Sequence, residues 1–144
     1  MDRPGLLAFL RRHSWAIQAS TTPGGSLQAA LIGFAVTDDL QIVFEALEST
    51  RKIQNLRRNP RIALVIGGWT AGDERTIQYE GVTDEPQGEE LERLKAIYLQ
   101  RFPGGWSRKA RPAWVYVRVR PAWLRYSDYA SESPRIVEFT ALDL

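Results

Sequence analysis

The alternation of apolar and polar residues changes period several times along this chain, and each change marks an element. Asp2 to Arg12 carries a stripe of Leu6, Leu7, Phe9 and Leu10, with Asp2 placed to cap a helix and Pro4 in its first turn. Trp15–Ser20 reads as a strand, and Thr21–Ser26 contains Pro-Gly-Gly and predicts a hairpin turn. Leu27–Val36 is a second strand with Gly33 inside it, a residue that marks a bulge or a close approach of backbone to another group. Thr37–Leu40 turns the chain into a third strand, Gln41–Leu47. Ser49 or Thr50 then caps a helix running from Arg51 to about Arg58, with Ile53 and Leu56 on one face. Asn59-Pro60 ends it, because the residue before proline avoids the helical region. Arg61–Trp69 is a nearly continuous apolar strand, Ala71–Glu74 a turn, and Arg75–Glu85 alternates as a half-buried strand does. Glu89–Arg101 returns to the helical period, with Leu91, Leu94, Ile97 and Tyr98 on one side. Arg101–Pro112 is a loop, Ala113–Tyr129 is one long strand or two bent at Pro121, and Arg135–Thr140 is a last strand.

This order predicts a mainly β fold, a small antiparallel barrel of about six to eight strands with two to three flanking helices. The 144 residues suffice for one domain spanning 1–144, with no repeat or linker. The formal net charge is only +2, so an anion site must come from local clustering, and nucleic acid is not an expected partner. The chain has no cysteine, which removes disulfides, thiolate metal sites and cysteine nucleophiles and suits the cytoplasm. Its single histidine, His13, excludes a multi-histidine metal site within one chain. No apolar run approaches the roughly 18 residues of a membrane span, and the N-terminal segment reads as a helix and not as a signal peptide.

Charge is concentrated in Glu48–Pro60 and the residue after it, where Arg51, Lys52, Arg57, Arg58 and Arg61 lie close together. The first-turn N–H groups of a helix lack intrahelical partners, and the macrodipole adds partial positive charge there. With Ser49 and Thr50 as donors, and Arg51 and Lys52 as cations, this strand-to-helix turn is suited to a phosphate monoester. The alternative is a capped surface helix with a solvated basic face, the commoner fate of a charge run. Cations at a helix start oppose the dipole by a few tenths of a kcal/mol each, a conflict that a bound anion removes. Arg57 and Arg58 suit the far end of the helix and are expected to stand in water.

These residues resemble the flavin-binding split-barrel family of pyridoxamine 5'-phosphate oxidase. The resemblance rests on a strand ending VFEAL, then STRK, then NLRRNPRIALVI; GGSLQAALIGFAV, RTIQYEGVTDE and VRVRPAWLRYSD extend it across most of the chain. It implies a split β-barrel that binds flavin mononucleotide (FMN) at a homodimer interface. Thr50, Arg51 and Lys52 would hold the phosphate. Ala30, Leu31, Ile32, Gly33 and Phe34 would run along the isoalloxazine and ribityl chain, with Gly33 marking close approach to the ligand. Glu45 and Ala46 would touch the cofactor, and Thr76 stands where the oxidase has a flavin-binding glutamine. Trp106, Tyr126 and Arg135 are candidates for completing the partner's site. The histidine and arginine that grip pyridoxal phosphate have no counterpart in RIVEFTALDL beyond Arg135. The resemblance therefore carries the flavin site and not the vitamin B6 substrate.

Two functional readings follow. One is an FMN-dependent oxidoreductase moving hydride to or from a small organic substrate, with no catalytic residue assigned. The other is a non-enzymatic flavin, haem or deazaflavin binder or sensor on the same barrel. His13 is a weak candidate proton donor, and its ordinary role is as a surface or capping residue. Five tryptophans are expected to fill the barrel or an interface, with Trp106 the one placed to stack at a flavin edge. The acids at Asp38/Asp39 and Asp84/Glu85/Glu89/Glu90 lack metal-ligand spacing, so no metal is expected.

Overall fold

A computed structural model describes residues 1–104 and 113–144. Helix α1 (Arg3–Arg11) starts where the sequence predicts: the Asp2 carboxylate accepts from Gly5 N–H at 2.9 Å. Leu6, Phe9 and Leu10 are fully buried, so α1 plugs one end of the core. Strands β1 (Trp15–Thr21) and β2 (Leu27–Gly33) form the predicted hairpin, in register from Trp15↔Gly33 to Thr21↔Leu27. The predicted strand Leu27–Val36 is interrupted at Phe34, which drops into the core, and resumes as the short β3 (Ala35–Val36).

The rest of the sheet is β4 (Ile42–Leu47), β5 (Arg61–Gly67), β6 (Arg75–Asp84), β7 (Trp114–Asp128) and β8 (Arg135–Phe139). The order is β2-β1-β5-β6-β7-β4-β3, with β8 added on β7, and every pairing is antiparallel. This is an eight-stranded half-barrel sheet with three helices, mainly β as the sequence pattern predicts. Alternate residues along the strands, among them Ile42, Phe44, Leu64, Ile66, Ile77 and Tyr79, point inward and make the main core.

Strand β7 is continuous through Pro121. Its residues Trp114 to Val119 pair with β4, and Leu124 to Asp128 pair with β8, all along one edge. The other edge pairs with β6, with a bulge beside Gly81. Pro121 falls in the gap between β4 and β8, where no partner needs its missing N–H.

Helix α2 (Arg51–Arg58) ends before Asn59-Pro60 and buries Ile53, Asn55 and Leu56. Helix α3 (Gly88–Arg101) lays Leu94 and Tyr98 on a second cluster with Ala35, Val43 and Tyr116. Among the described residues no helix is long and apolar enough to cross a membrane.

Candidate functional site

Helix α2 is held in place by a buried amide. The Asn55 side chain donates to Ser20 Oγ at 3.3 Å and Gln28 Oε1 at 2.8 Å, and its Oδ1 accepts from Arg58 at 3.1 Å. Asn59 donates to Thr21 Oγ1 at 3.0 Å. These bonds lock α2 onto the β1–β2 hairpin and aim its N-terminus along the ends of β2 and β4. The apolar spacing of Ile53 and Leu56 gave the buried face, but nothing local in the sequence marked Asn55 as its polar pin.

A cavity of about 260 Å³ opens at that N-terminus. Seven of the eleven expected site residues line it: Leu31, Ile32 and Gly33 of β2, Glu45 and Ala46 of β4, and Thr50 and Lys52 at the helix start. The other four do not. Ala30 is half-buried opposite Gln18, and Phe34 is fully buried in the core. Arg51, the first residue of α2, is exposed and outside the cavity lining, and Thr76 pairs with Gly67 and Ser127 in another part of the sheet. Tyr126 is buried with its ring edge-on to Phe9, and Arg135 is exposed at the start of β8. Trp106 lies outside the described residues.

Thr50 occupies the N-cap position without capping the helix. Its hydroxyl donates to the Leu47 carbonyl at 2.7 Å, so the first-turn N–H groups receive no side-chain cap. Lys52 is half-buried, and that burial lowers its ammonium pKa below the ordinary lysine value. Neither Arg51 nor Lys52 has an acidic partner among the described residues. Arg57, in contrast, bridges Glu48 at 2.7 Å and Glu85 at 2.8 Å. Arg57 is exposed at the far end of the helix, as expected, and the fold adds what the sequence did not show, an acid from before the helix and one from just past the end of β6 to pair with it. A turn with open N–H groups, a desolvated cation and a second cation alongside can accept an anion at one end of an otherwise largely apolar cavity.

The aromatic lining of this cavity is the part that sequence reasoning missed. Trp15, Tyr98, Phe102 and Trp114 all face it. The available signal was the i, i+4 spacing of Tyr98 and Phe102 at the end of α3, which puts two rings on one helix face.

The family model for pyridoxamine 5'-phosphate oxidase matches residues 3–128. The chain belongs to that family. No curated protein matches the sequence significantly. Among solved structures, a haem-binding protein from Mycobacterium smegmatis matches with a TM-score of 0.83 at 16% identity, over 97% of this chain and 58% of that one. This member of the pyridoxamine 5'-phosphate oxidase family thus spans little more than half of that protein's length. The haem storage protein of Vibrio cholerae matches with a TM-score of 0.72 at 14% identity over 100% of both chains. General stress protein 26 of Bacillus anthracis matches with a TM-score of 0.72 at 14% identity, over 95% of this chain and 98% of that one. At these identities the likeness is one of fold.

Two depressions elsewhere among the described residues are larger than this cavity. The larger, about 720 Å³ between α1, β3 and α3, has Leu10, Phe34 and Val36 at its floor. Its rim charges are largely neutralised locally: Arg11 pairs with Asp38, and Arg93 pairs with Glu90 at 2.7 Å. The smaller, about 320 Å³, lies beside His13 and Trp69.

Proposed function

We propose that this chain, as one domain, binds FMN in the cavity between β2, β4 and the start of α2, and acts as a homodimeric flavin-dependent oxidoreductase on a small organic substrate. The observation that carries the reading is Lys52: a half-buried ammonium with no ion pair among the described residues, at an uncapped helix start, in a cavity lined by seven of the positions that the family resemblance implies for the cofactor. An unpaired, desolvated cation is a cost in the free protein, and a phosphate group would offset it. Leu31 to Gly33, with Ala46, would lie along the ring and sugar alcohol. Bound flavin supplies the hydride or electron chemistry; the chain's own part is to hold the phosphate, orient the ring and exclude water.

The cavity is smaller than the ~300–1,000 Å³ usual for an organic ligand, so this chain alone provides part of an enclosure. The outer face of β2, β1 and β5 supports completion by a second copy. Cross-strand rows Leu31–Ile17–Val65 and Ala29–Ala19–Ala63 are apolar and face outward beside the cavity. Leu27 is 80% exposed, Leu31 58% and Trp15 51%. A contiguous apolar face of this kind marks an interaction surface.

Titration of purified protein with FMN and with riboflavin tests the reading. FMN is expected to bind saturably. Arg51→Ala/Lys52→Ala should weaken it by about two orders of magnitude or more, given ~1.5–3 kcal/mol per charged hydrogen bond, and should leave riboflavin affinity nearly unchanged. Equal FMN affinity in wild type and double variant would remove the phosphate assignment. Anaerobic bleaching of the bound flavin by NADH or NADPH separates an enzyme from a store or sensor.

One observation favours haem as a second reading. His13 Nδ1 lies 2.9 Å from the Phe9 carbonyl, which only accepts, so in the neutral imidazole Nδ1 is the nitrogen that donates. Nε2 is left with the lone pair that an iron ligand needs, and the side chain borders the 720 Å³ depression, not the FMN cavity. A Soret band abolished by His13→Ala, with no saturable FMN binding, would replace the first reading by this one.

A further inference from the structure

We propose that Gly33 and Phe102 form a ring seat in the candidate cofactor cavity, and that the Phe102 ring is an occupant which the planar ring of the ligand displaces. The inference rests on the FMN reading and names which side chain controls entry at its ring end.

Gly33 is the last residue of β2, still paired with Trp15, and a glycine in a strand ladder weakens it and often marks a close approach of another group, so Gly33 needs a cause. Its backbone does not supply one: Gly33 is not among the residues with positive φ, unlike Gly67, at φ 85°. Any L-residue could adopt the Gly33 backbone. Space is the constraint. A Cβ placed on Gly33 would lie 3.0 Å from Phe102 Cζ, 3.2 Å from Phe102 Cε1 and 3.5 Å from Trp15 Cζ3. The bare backbone of Gly33 is the surface on which an aromatic ring rests.

The ring that rests there now belongs to the chain itself. Phe102 ends α3 at φ −126°, ψ 76°, off the helical path, with its N–H donating to the Tyr98 carbonyl at 2.9 Å. Its ring stacks on Tyr98 with centroids 4.8 Å apart and planes 27° apart, and stands edge-on to Trp15 at 6.1 Å. Tyr98 is in turn backed by Tyr116, at 5.6 Å. Phe102 is thus held by aromatic contacts of the kind that a flavin ring would make with the same neighbours. Its approach to Gly33 is by the tip of the side chain, so the seat can be vacated by rotation of one side chain without moving a strand. The 260 Å³ of the cavity is what remains while Phe102 is in place.

Exchange of one ring for another predicts a specific kinetic pattern. Stopped-flow association of FMN and of riboflavin is measured for wild type, Phe102→Ala, Phe102→Leu and Arg51→Ala/Lys52→Ala. Removing the occupant should raise the association rate and tighten both ligands alike, by about two- to tenfold, the worth of an aromatic pair. Phe102→Leu keeps apolar volume without a ring, and serves if Phe102→Ala no longer melts cooperatively. Unchanged or weaker binding in the folded Phe102 variant, with FMN still weakened by Arg51→Ala/Lys52→Ala, would overturn ring exchange and leave the FMN reading standing. No saturable FMN or riboflavin binding in any of the four proteins would overturn both.

Discussion

At the scale of single residues, the proposed site would make ligand binding depend on pH through Lys52. Burial lowers its pKa, so the free protein loses this charge at a lower pH than an ordinary lysine would. A phosphate favours the charged form. FMN affinity should therefore be highest below the lowered pKa and should fall by up to tenfold per pH unit above it, until the pKa of the complex is reached. Lys52→Arg, which stays charged, should flatten the decline; an equal decline in both proteins would show that another group titrates. The same burial disfavours the charged lysine in the folded state, so Lys52→Met is expected to raise the Tm of the ligand-free protein while weakening FMN binding. The sequence showed Arg51 and Lys52 as a pair, but only the fold separates them. The helical turn points Lys52 into the cavity and leaves Arg51 exposed.

At the scale of elements, α3 is tied to the sheet by charge as well as by Leu94 and Tyr98. The largely buried Arg118 of β7 donates to both Asp84 carboxylate oxygens, at 2.9 and 2.6 Å, and to Glu90 in the first turn of α3 at 3.0 Å. Arg120 adds a bond to Asp84 at 3.0 Å. Hydrogen bonding to Arg118 holds the Asp84 pKa below the usual carboxylate value, and Arg93, then Arg118, does the same to Glu90. Both acids bind fewer protons when folded. Their contribution is present above the unfolded pKa, about 4, and is lost as pH falls through the lowered folded values. Arg118→Met should cost about 1–3 kcal/mol in denaturant unfolding at neutral pH, toward the lower end because both acids are more than a third exposed and screened. Asp84→Asn should make the loss of stability in acid shallower.

Element existence was legible because each strand and helix keeps one period. The break at Phe34 was not, since LQAALIGFAV stays apolar through it and the turn toward the core is a tertiary effect. The aromatic wall was hidden for the same reason: Trp15, Tyr98, Phe102 and Trp114 come from three elements that only the sheet order brings together.

At the scale of the whole molecule, the outward apolar rows on β2, β1 and β5 argue for self-association. Ile17→Glu/Val65→Lys places charge in the middle of that face without touching the cavity lining. Wild type is expected to sediment as a dimer and the variant as a monomer, with FMN affinity falling in step if a second copy completes the enclosure. A dimer that persists would move the interface elsewhere. The continuity of β7 has another consequence. Arg118 and Val119 have partners on both sides, in β4 and β6, and Leu124 to Asp128 are flanked by β6 and β8. Neither edge can fray past these positions without parting two ladders at once. Their amide protons should therefore be among the last to exchange with deuterium, on the timescale of global opening, while the outer strand β2 should exchange sooner in a monomer and slow if a second copy covers it.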